Sequence, residues 1–222
     1  MNLNLVLFDN TDDFFSSIIE KINLLSQIEI KCNNTFKIVL TGGETAKELY
    51  SRMRKMKTDW SKWIFYFGDE RISIKDDKIL NSYMAEQMLL DHLPIKPGQV
   101  FKIPSYLGSE LGALEYSKFV CFADPFDLVL LGLGEDGHIA SLFPGNEWYS
   151  DKQAIPIFNS PKLPSERISL SMNRINNSKN IIIITKGESK QKIVEKLMKE
   201  SSFPVNALQP YGELVCFYCR GC

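Results

Sequence analysis

The run FDLVLLGLG, residues 126–134, constrains the fold more than any other stretch of the chain. Its centre, LVLLGL, presents no polar side chain on either face, so a strand built from it belongs in the middle of a sheet covered on both sides. Elsewhere, short β-rich runs alternate with segments of helical period. Residues 3–8, 36–40, 63–69, 100–103, 167–172, 180–187 and 213–218 read as further strands. Residues 12–27, 45–56, 81–93, 108–122 and 188–200 read as helices. In the first of these Phe15, Ile18, Ile19, Ile22 and Leu25 recur at helical spacing, and Pro94 closes the third. Repeated β-α-β order with continuous apolar strands predicts an α/β fold: a doubly wound, mainly parallel sheet of Rossmann-like type with helices on both faces. With no internal repeat or long polar linker, residues 1–222 are expected to form a single domain.

Composition narrows the function classes. A chain of 222 residues with 44% apolar content can bury a sizeable core. Its formal net charge of -1 gives no general attraction to nucleic acid or anionic membrane. A taste for an anionic ligand must therefore come from a local cluster. No apolar run approaches the ~20 residues needed to cross a bilayer. The opening MNLNLVLFDNTDD lacks the basic region and long apolar run of a secretory leader, so a cytosolic location is expected. A monomer is expected, although nothing in the sequence sets the oligomeric state. The cysteines are five, an odd number: Cys32, Cys121, Cys216, Cys219 and Cys222. CFYCRGC at the C-terminus has the spacing of half a metal site, but no fourth ligand is near, so these read as reduced thiols on a terminal strand and tail.

In doubly wound sheets, ligands bind outside the carboxyl ends of the strands. Four polar segments follow predicted strands and should share that edge: TGGET (41–45), GDERIS (68–73), GEDGHIAS (134–141) and TKGESK (185–190). In the first, Gly42 and Gly43 allow close approach to a ligand, Thr45 is placed to cap the next helix, and the free N–H groups of that helix suit a phosphate. A plain strand–helix turn explains it equally well; it is neither a Walker loop nor G-x-G-x-x-G. In the second, Arg71 offers a bidentate fork for phosphate, and Asp69 or Glu70 a carboxylate for a hydroxyl or a histidine; the competing view is an exposed charged turn. In the fourth, Lys190 falls in the first turn of the predicted helix, where a cation is mildly unfavourable unless an anion lies nearby. Arg167, at the start of RISLSM, is a similar candidate.

His138 is one of only two histidines. The other, His92, is best read as a helix C-terminal residue favoured by the helix dipole. A zinc site would then rest on one histidine and carboxylates. A nucleophilic Ser141 lacks the G-x-S-x-G setting. General acid/base work suits a side chain whose ordinary pKa is near 6.5, with Asp136 or Asp69 orienting the ring. A loop histidine with satisfied hydrogen bonds is the plainer alternative.

LTGGETAKELY, FYFGDERIS, FDLVLLGLGEDGHIASLFPG and TKGESK, in this order, resemble the 6-phosphogluconolactonase family, part of the wider glucosamine-6-phosphate isomerase/6-phosphogluconolactonase superfamily. The resemblance runs from about Leu40 to Lys190. The amino-sugar phosphate isomerases typically carry a D-E-Y type segment where this chain has Asp69-Glu70-Arg71, and an FNEPG-like ending in place of Ser141-Leu142-Phe143-Pro144-Gly145. Both differences favour the lactonases. What the resemblance implies is hydrolysis of a sugar-phosphate lactone in the pentose phosphate pathway, with no metal or organic cofactor. It implies a catalytic His138, and a phosphate cradle of Gly42, Gly43, Thr45, Arg71 and Lys190, with Arg167 as a further contact. Backbone N–H groups around Gly134 and Gly137 are expected to stabilise an oxyanion. Three departures stand out: Ala46 where the family usually has proline, Asn81-Ser82 where it often reads Ser-Asn, and the CFYCRGC ending. Alternatives from other classes are an isomerase/deaminase of an amino-sugar phosphate, a non-catalytic sugar-phosphate sensor, and a nucleotide-binding domain.

Overall fold

The computed structural model describes residues 3–73 and 76–221. Its centre is a six-stranded sheet in the order β1-β9-β8-β5-β2-β3, parallel throughout. The strands are β1 (Asn4–Phe8), β2 (Phe36–Leu40), β3 (Trp63–Phe67), β5 (Phe126–Gly132), β8 (Ser178–Lys186) and β9 (Leu214–Cys219). The helices are α1 (Thr11–Asn33), α2 (Glu44–Met53), α3 (Asn81–Met88), α4 (Ser109–Val120), α5 (Met172–Asn176) and α6 (Gln191–Leu197). The predicted α/β class is the observed one. Successive residues of a strand face opposite sides of the sheet, and Phe126 through Leu131 of β5 are all buried. Both faces are therefore covered at the strand the sequence marked as central.

Strand order also locates a crevice. From β2 the chain moves outward to β3, whereas from β5 it moves the opposite way to β8. The adjacent strands β2 and β5 thus flank the topological switch point, where the loops leaving them diverge and open a cleft.

Several expected elements are corrected. Residues 100–103 form no strand; Val100 makes only an isolated bridge to Phe65. The expected strand over 63–69 stops at Phe67, and Asp69–Arg71 form a separate strand, β4. This joins β7 (Arg167–Leu170) and β6 (Ala154–Ile157) in a second, antiparallel sheet of order β4-β7-β6. Gly68 is the junction: its N–H donates to Leu40 O of the large sheet (2.9 Å), and its carbonyl accepts from Leu170 N of the small one (2.8 Å). β6 is missing from the sequence reading because Pro156 interrupts its short AIPI run, and proline demotes a strand signal. Helix α4 packs on β6 and β7.

Cys32, Cys121 and Cys216 carry free thiols, whereas Cys219 is disulfide-bonded, which corrects the expectation of reduced thiols throughout. Cys222 lies outside the described residues. Among those residues no helix is long and apolar enough to cross a membrane, and no group of three His, Cys, Asp or Glu side chains converges as a metal site.

Candidate active site

A cavity of about 460 Å³ opens at the switch point. The loop after β2 contributes Gly42, Gly43 and Thr45; the loop after β5 contributes Gly134 and His138; the segment after β8 contributes Lys190. Asp69 and Arg71 come from β4, and Arg167 from β7. His138, Asp69, Gly42, Gly43, Thr45, Arg71, Arg167, Lys190 and Gly134 therefore line one cavity, Asp136 stands directly behind His138, and Glu70 and Gly137 are not part of its lining.

The β2–α2 turn is shaped for close approach. A Cβ on Gly42 would sit 2.0 Å from Asn81 Oδ1, so only glycine admits that side chain. Gly43 has φ 97° and ψ 166°, a conformation glycine adopts without penalty. Gly43 is also the N-cap of α2, which corrects the expectation that Thr45 caps the helix: Thr45 lies inside the first turn, and no side chain caps this end. The first N–H groups of α2 consequently remain available at the cavity, where the positive end of the helix dipole favours an anion.

Strand alternation divides the charged trio Asp69-Glu70-Arg71. Asp69 and Arg71 face the cavity, and Glu70 turns the other way into the protein, fully buried. There its carboxylate accepts the backbone N–H groups of Arg71 (2.9 Å), Asn81 (2.7 Å) and Ser82 (2.8 Å), the last two at the start of α3. Burial pushes the Glu70 carboxyl above its ordinary pKa, against the pull of those N–H donors. The reversed Asn81-Ser82 pair thus has a definite place. Both amides are held by Glu70, and Asn81 Nδ2 donates to Asp69 O (3.0 Å) and Asp69 Oδ1 (3.1 Å).

Asp69 spends its second oxygen on Ser141, whose hydroxyl donates to Oδ2 at 2.6 Å. It makes no hydrogen bond to the histidine. Asp136 does: its Oδ1 hydrogen-bonds His138 Nδ1. Of the two carboxylates the sequence left open as ring partners, Asp136 takes the role and Asp69 does not. Ser141, committed to Asp69, is also not paired with His138.

With Nδ1–H directed at Asp136, the basic lone pair of the imidazole lies on Nε2. The ring packs against Phe143, centroids 4.6 Å apart, and its side chain is 15% exposed. Burial lowers the His138 pKa; Asp136 opposes this, and Lys162 adds to it. Burial also acts to raise Asp136, but the hydrogen bond and charge of His138 and the charge of Lys162 bring it below its usual value. Both shifts favour, at neutral pH, a carboxylate holding an unprotonated imidazole; the charge of His138 acts on Asp136 only once the ring is protonated. Gly134 permits this closeness, since a Cβ there would meet the His138 ring at 2.0 Å.

Cations surround the cavity. Lys190 belongs to a 3-10 turn (Glu188–Lys190) ahead of α6 and not to the helix itself; its ammonium donates to Leu133 O (2.8 Å), tying the β8 loop to the β5 loop. Burial lowers its pKa, which Glu135 opposes. Arg71 donates through one terminal nitrogen to Ile79 O, while its buried Nε has no partner. Lys186 is engaged by Glu48 (2.6 Å). Lys162 also lines the cavity and was missed in the sequence. Its only signal was a lysine in the proline-bounded loop SPKLPSER, which looks like any solvated loop.

The amides of Gly134 and Gly137 do not form an oxyanion hole. Gly134 N donates to His138 O (2.9 Å) and Gly137 N to Gly134 O (3.0 Å), so both are consumed in folding the loop.

A family model described as "Glucosamine-6-phosphate isomerases/6-phosphogluconolactonase" matches residues 9–216. The chain belongs to this family. It is 34% identical over 217 residues to 6-phosphogluconolactonase 3, chloroplastic, of Arabidopsis thaliana, covering 87% of this chain and 66% of that protein. It is 31% identical over 214 residues to the 6-phosphogluconolactonase of Mycobacterium leprae, covering 89% of this chain and 87% of that one. The crystal structure of a 6-phosphogluconolactonase from Thermotoga maritima superposes with a TM-score of 0.89 over 99% of this chain and 100% of that one, at 23% identity. That last likeness speaks for the fold; the family membership rests on sequence.

Proposed function

We propose that this family member is a carboxylic-ester hydrolase that converts 6-phospho-D-glucono-1,5-lactone to 6-phosphogluconate, the lactone step of the pentose phosphate pathway. It acts in the cytosol on a small sugar phosphate and uses no metal or organic cofactor. The observation that carries this reading is His138, hydrogen-bonded to Asp136 and facing a cavity ringed by Arg71, Arg167, Lys162 and Lys190. In a chain of net charge -1, such a cluster selects an anion.

The open N–H groups of α2 around Gly43 and Thr45, with Arg71 and Lys190, take the phosphate. Because the phosphate does not react, this grip serves to position C1 beside His138. His138 Nε2 accepts a proton from water as the water oxygen bonds to C1. The C1–ring oxygen bond then breaks, and the imidazolium returns the proton to the departing oxygen. The product acid ionises to solvent. Acid/base assistance of this kind contributes ~10²–10⁴ in rate. Negative charge on the carbonyl oxygen is met by the cavity's side-chain cations, since the Gly134 and Gly137 amides are occupied. Asp69, fixed by Asn81 and Ser141, is placed to accept a sugar hydroxyl.

Lactone hydrolysis above the spontaneous rate tests the reading, with His138→Ala as the comparison. The variant is expected to lose ~10²–10⁴ in kcat with little change in KM. Full turnover in that variant overturns the role of His138. Release of ammonia from glucosamine 6-phosphate, without lactone hydrolysis, would instead select the isomerase/deaminase branch of the family.

A further inference from the structure

The segment between β6 and β7 forms a strap at the cavity mouth. Ser160 N donates to Ser165 O (2.9 Å), closing a short loop across its base. Within that loop the Ser160 hydroxyl donates to Lys162 O (2.9 Å) and accepts from Lys162 N (3.2 Å). Arg167 then fastens the loop from β7. Its Nε donates to Pro164 O (3.2 Å) and one terminal nitrogen to Lys162 O (3.0 Å) and Leu163 O (3.3 Å). The guanidinium is nearly buried, with Phe143 beneath it at 5.8 Å. An arginine with two nitrogens committed to three carbonyls of one loop is chiefly a clamp, which changes the weight of its expected role as a phosphate contact.

What the clamp presents is Lys162. Its Nζ lies 3.7 Å from Asp136 Oδ1, the same oxygen that bonds His138 Nδ1. One carboxylate oxygen is therefore shared by the imidazole and an ammonium from a different part of the chain. Asp136 alone would stabilise the imidazolium and make His138 a poorer proton donor to a leaving group. A second cation on the same oxygen divides that stabilisation.

We infer that Lys162 is a positioning residue for the reaction, sharing the Asp136 carboxylate with His138 so that the imidazole stays neutral at rest and gives its proton up readily, and that Arg167 serves the reaction by holding Lys162 there. This rests on the proposed role of His138. The charged groups facing the ring are Asp136 from its own loop, Lys162 from the strap and Asp69 from β4. Lys190 and Arg167 act on Asp136 from the β8 loop and β7. Of these, Lys162 alone forms an ion pair with Asp136 besides the histidine among the described residues.

The test reads the histidine directly. The chain has two histidines, so His92→Gln assigns the His138 ring resonances in a proton NMR pH titration of the intact protein. Lys162→Met keeps the aliphatic stem and removes the charge. The His138 ring should then bind its proton about two- to fivefold more tightly, the scale of a partly exposed ion pair. Lys162→Arg should restore the original titration, and Arg167→Met, which frees the strap, should move it in the same direction as Lys162→Met. The acid limb of kcat/KM should follow the NMR shift. An unmoved His138 titration in Lys162→Met overturns the inference, whatever the activity. A shifted titration in a protein that hydrolyses no lactone leaves the electrostatic device standing and removes the proposed reaction. Should Arg167→Met fail to fold, the Met and Arg variants at Lys162, which alter only an exposed side-chain end, still decide the matter.

Discussion

At His138 the chemistry is set by three neighbours with different jobs. Asp136 fixes the tautomer, Phe143 fixes the ring plane, and burial keeps the ring neutral. The pH dependence follows from the sign of the shift. In its proposed role as base His138 must be unprotonated, and burial lowers its pKa from the ordinary 6.5. The acid limb of kcat/KM should therefore lie below that value, with activity flat through neutral pH. A limb centred above 6.5 in a pH–rate profile would contradict it. Arg71 differs in its proposed role, which is to grip the phosphate, the part of the substrate that does not react. Arg71→Ala is expected to raise KM by ~10–100-fold, the scale of lost charge-assisted hydrogen bonds, while kcat changes little. Steady-state kinetics separates the two outcomes.

At the scale of elements, the instructive piece is Asp69-Glu70-Arg71. As a sequence it is three adjacent charges after a strand, and an exposed turn explains it as well as a site does. As strand β4 it has a two-residue period, so its middle residue must leave the cavity. Glu70 then becomes the carboxylate that receives the first amides of α3. Glu70→Ala should strand buried N–H groups and cost ~2–4 kcal/mol in urea-induced unfolding. A loss under half a kcal/mol would mean that water replaces the carboxylate without penalty. The same element explains why the residue-level reading of Asp69 and Asp136 stayed open. Both stand near His138 in the chain or on the strand-end edge, and only the pairing of β4 with β7 turns Asp69 toward Ser141 and Asn81.

For the whole molecule, a polar knot at the opposite end of the central strands ties distant segments together. Lys179 at the start of β8 reaches Asp127 Oδ1 of β5 at 2.9 Å and also pairs with Glu29 of α1. The Asp127 side chain is 2% exposed and also accepts the β2 amide of Lys37 at 2.7 Å. Burial raises the Asp127 pKa, against the amide of Lys37 and the ammonium of Lys179. Lys179→Met removes the cation that offsets this buried carboxylate. Because Lys179 is partly exposed, the expected loss is moderate, ~1–3 kcal/mol. Equilibrium unfolding checks it, and an unchanged midpoint would show that Asp127 protonates at no cost.

The sequence by itself determined the α/β class, the central place of residues 126–132, and the gathering of strand-end segments at one edge. Those follow from local rules: an all-apolar run is stable only when covered on both faces, and parallel strands put their following loops on one side. It also carried the family, through motifs that run from Leu40 to Lys190. Tertiary structure alone decided that Asp136 holds His138, that Glu70 leaves the site, that the Gly134 and Gly137 amides are spent, and that Lys162 arrives from a strap between strands of a second sheet, held there by Arg167 at the start of β7. The physical reason is common to all of these. Each depends on which single partner occupies a hydrogen-bonding atom, and those partners are brought together by strand pairing between segments far apart in the chain.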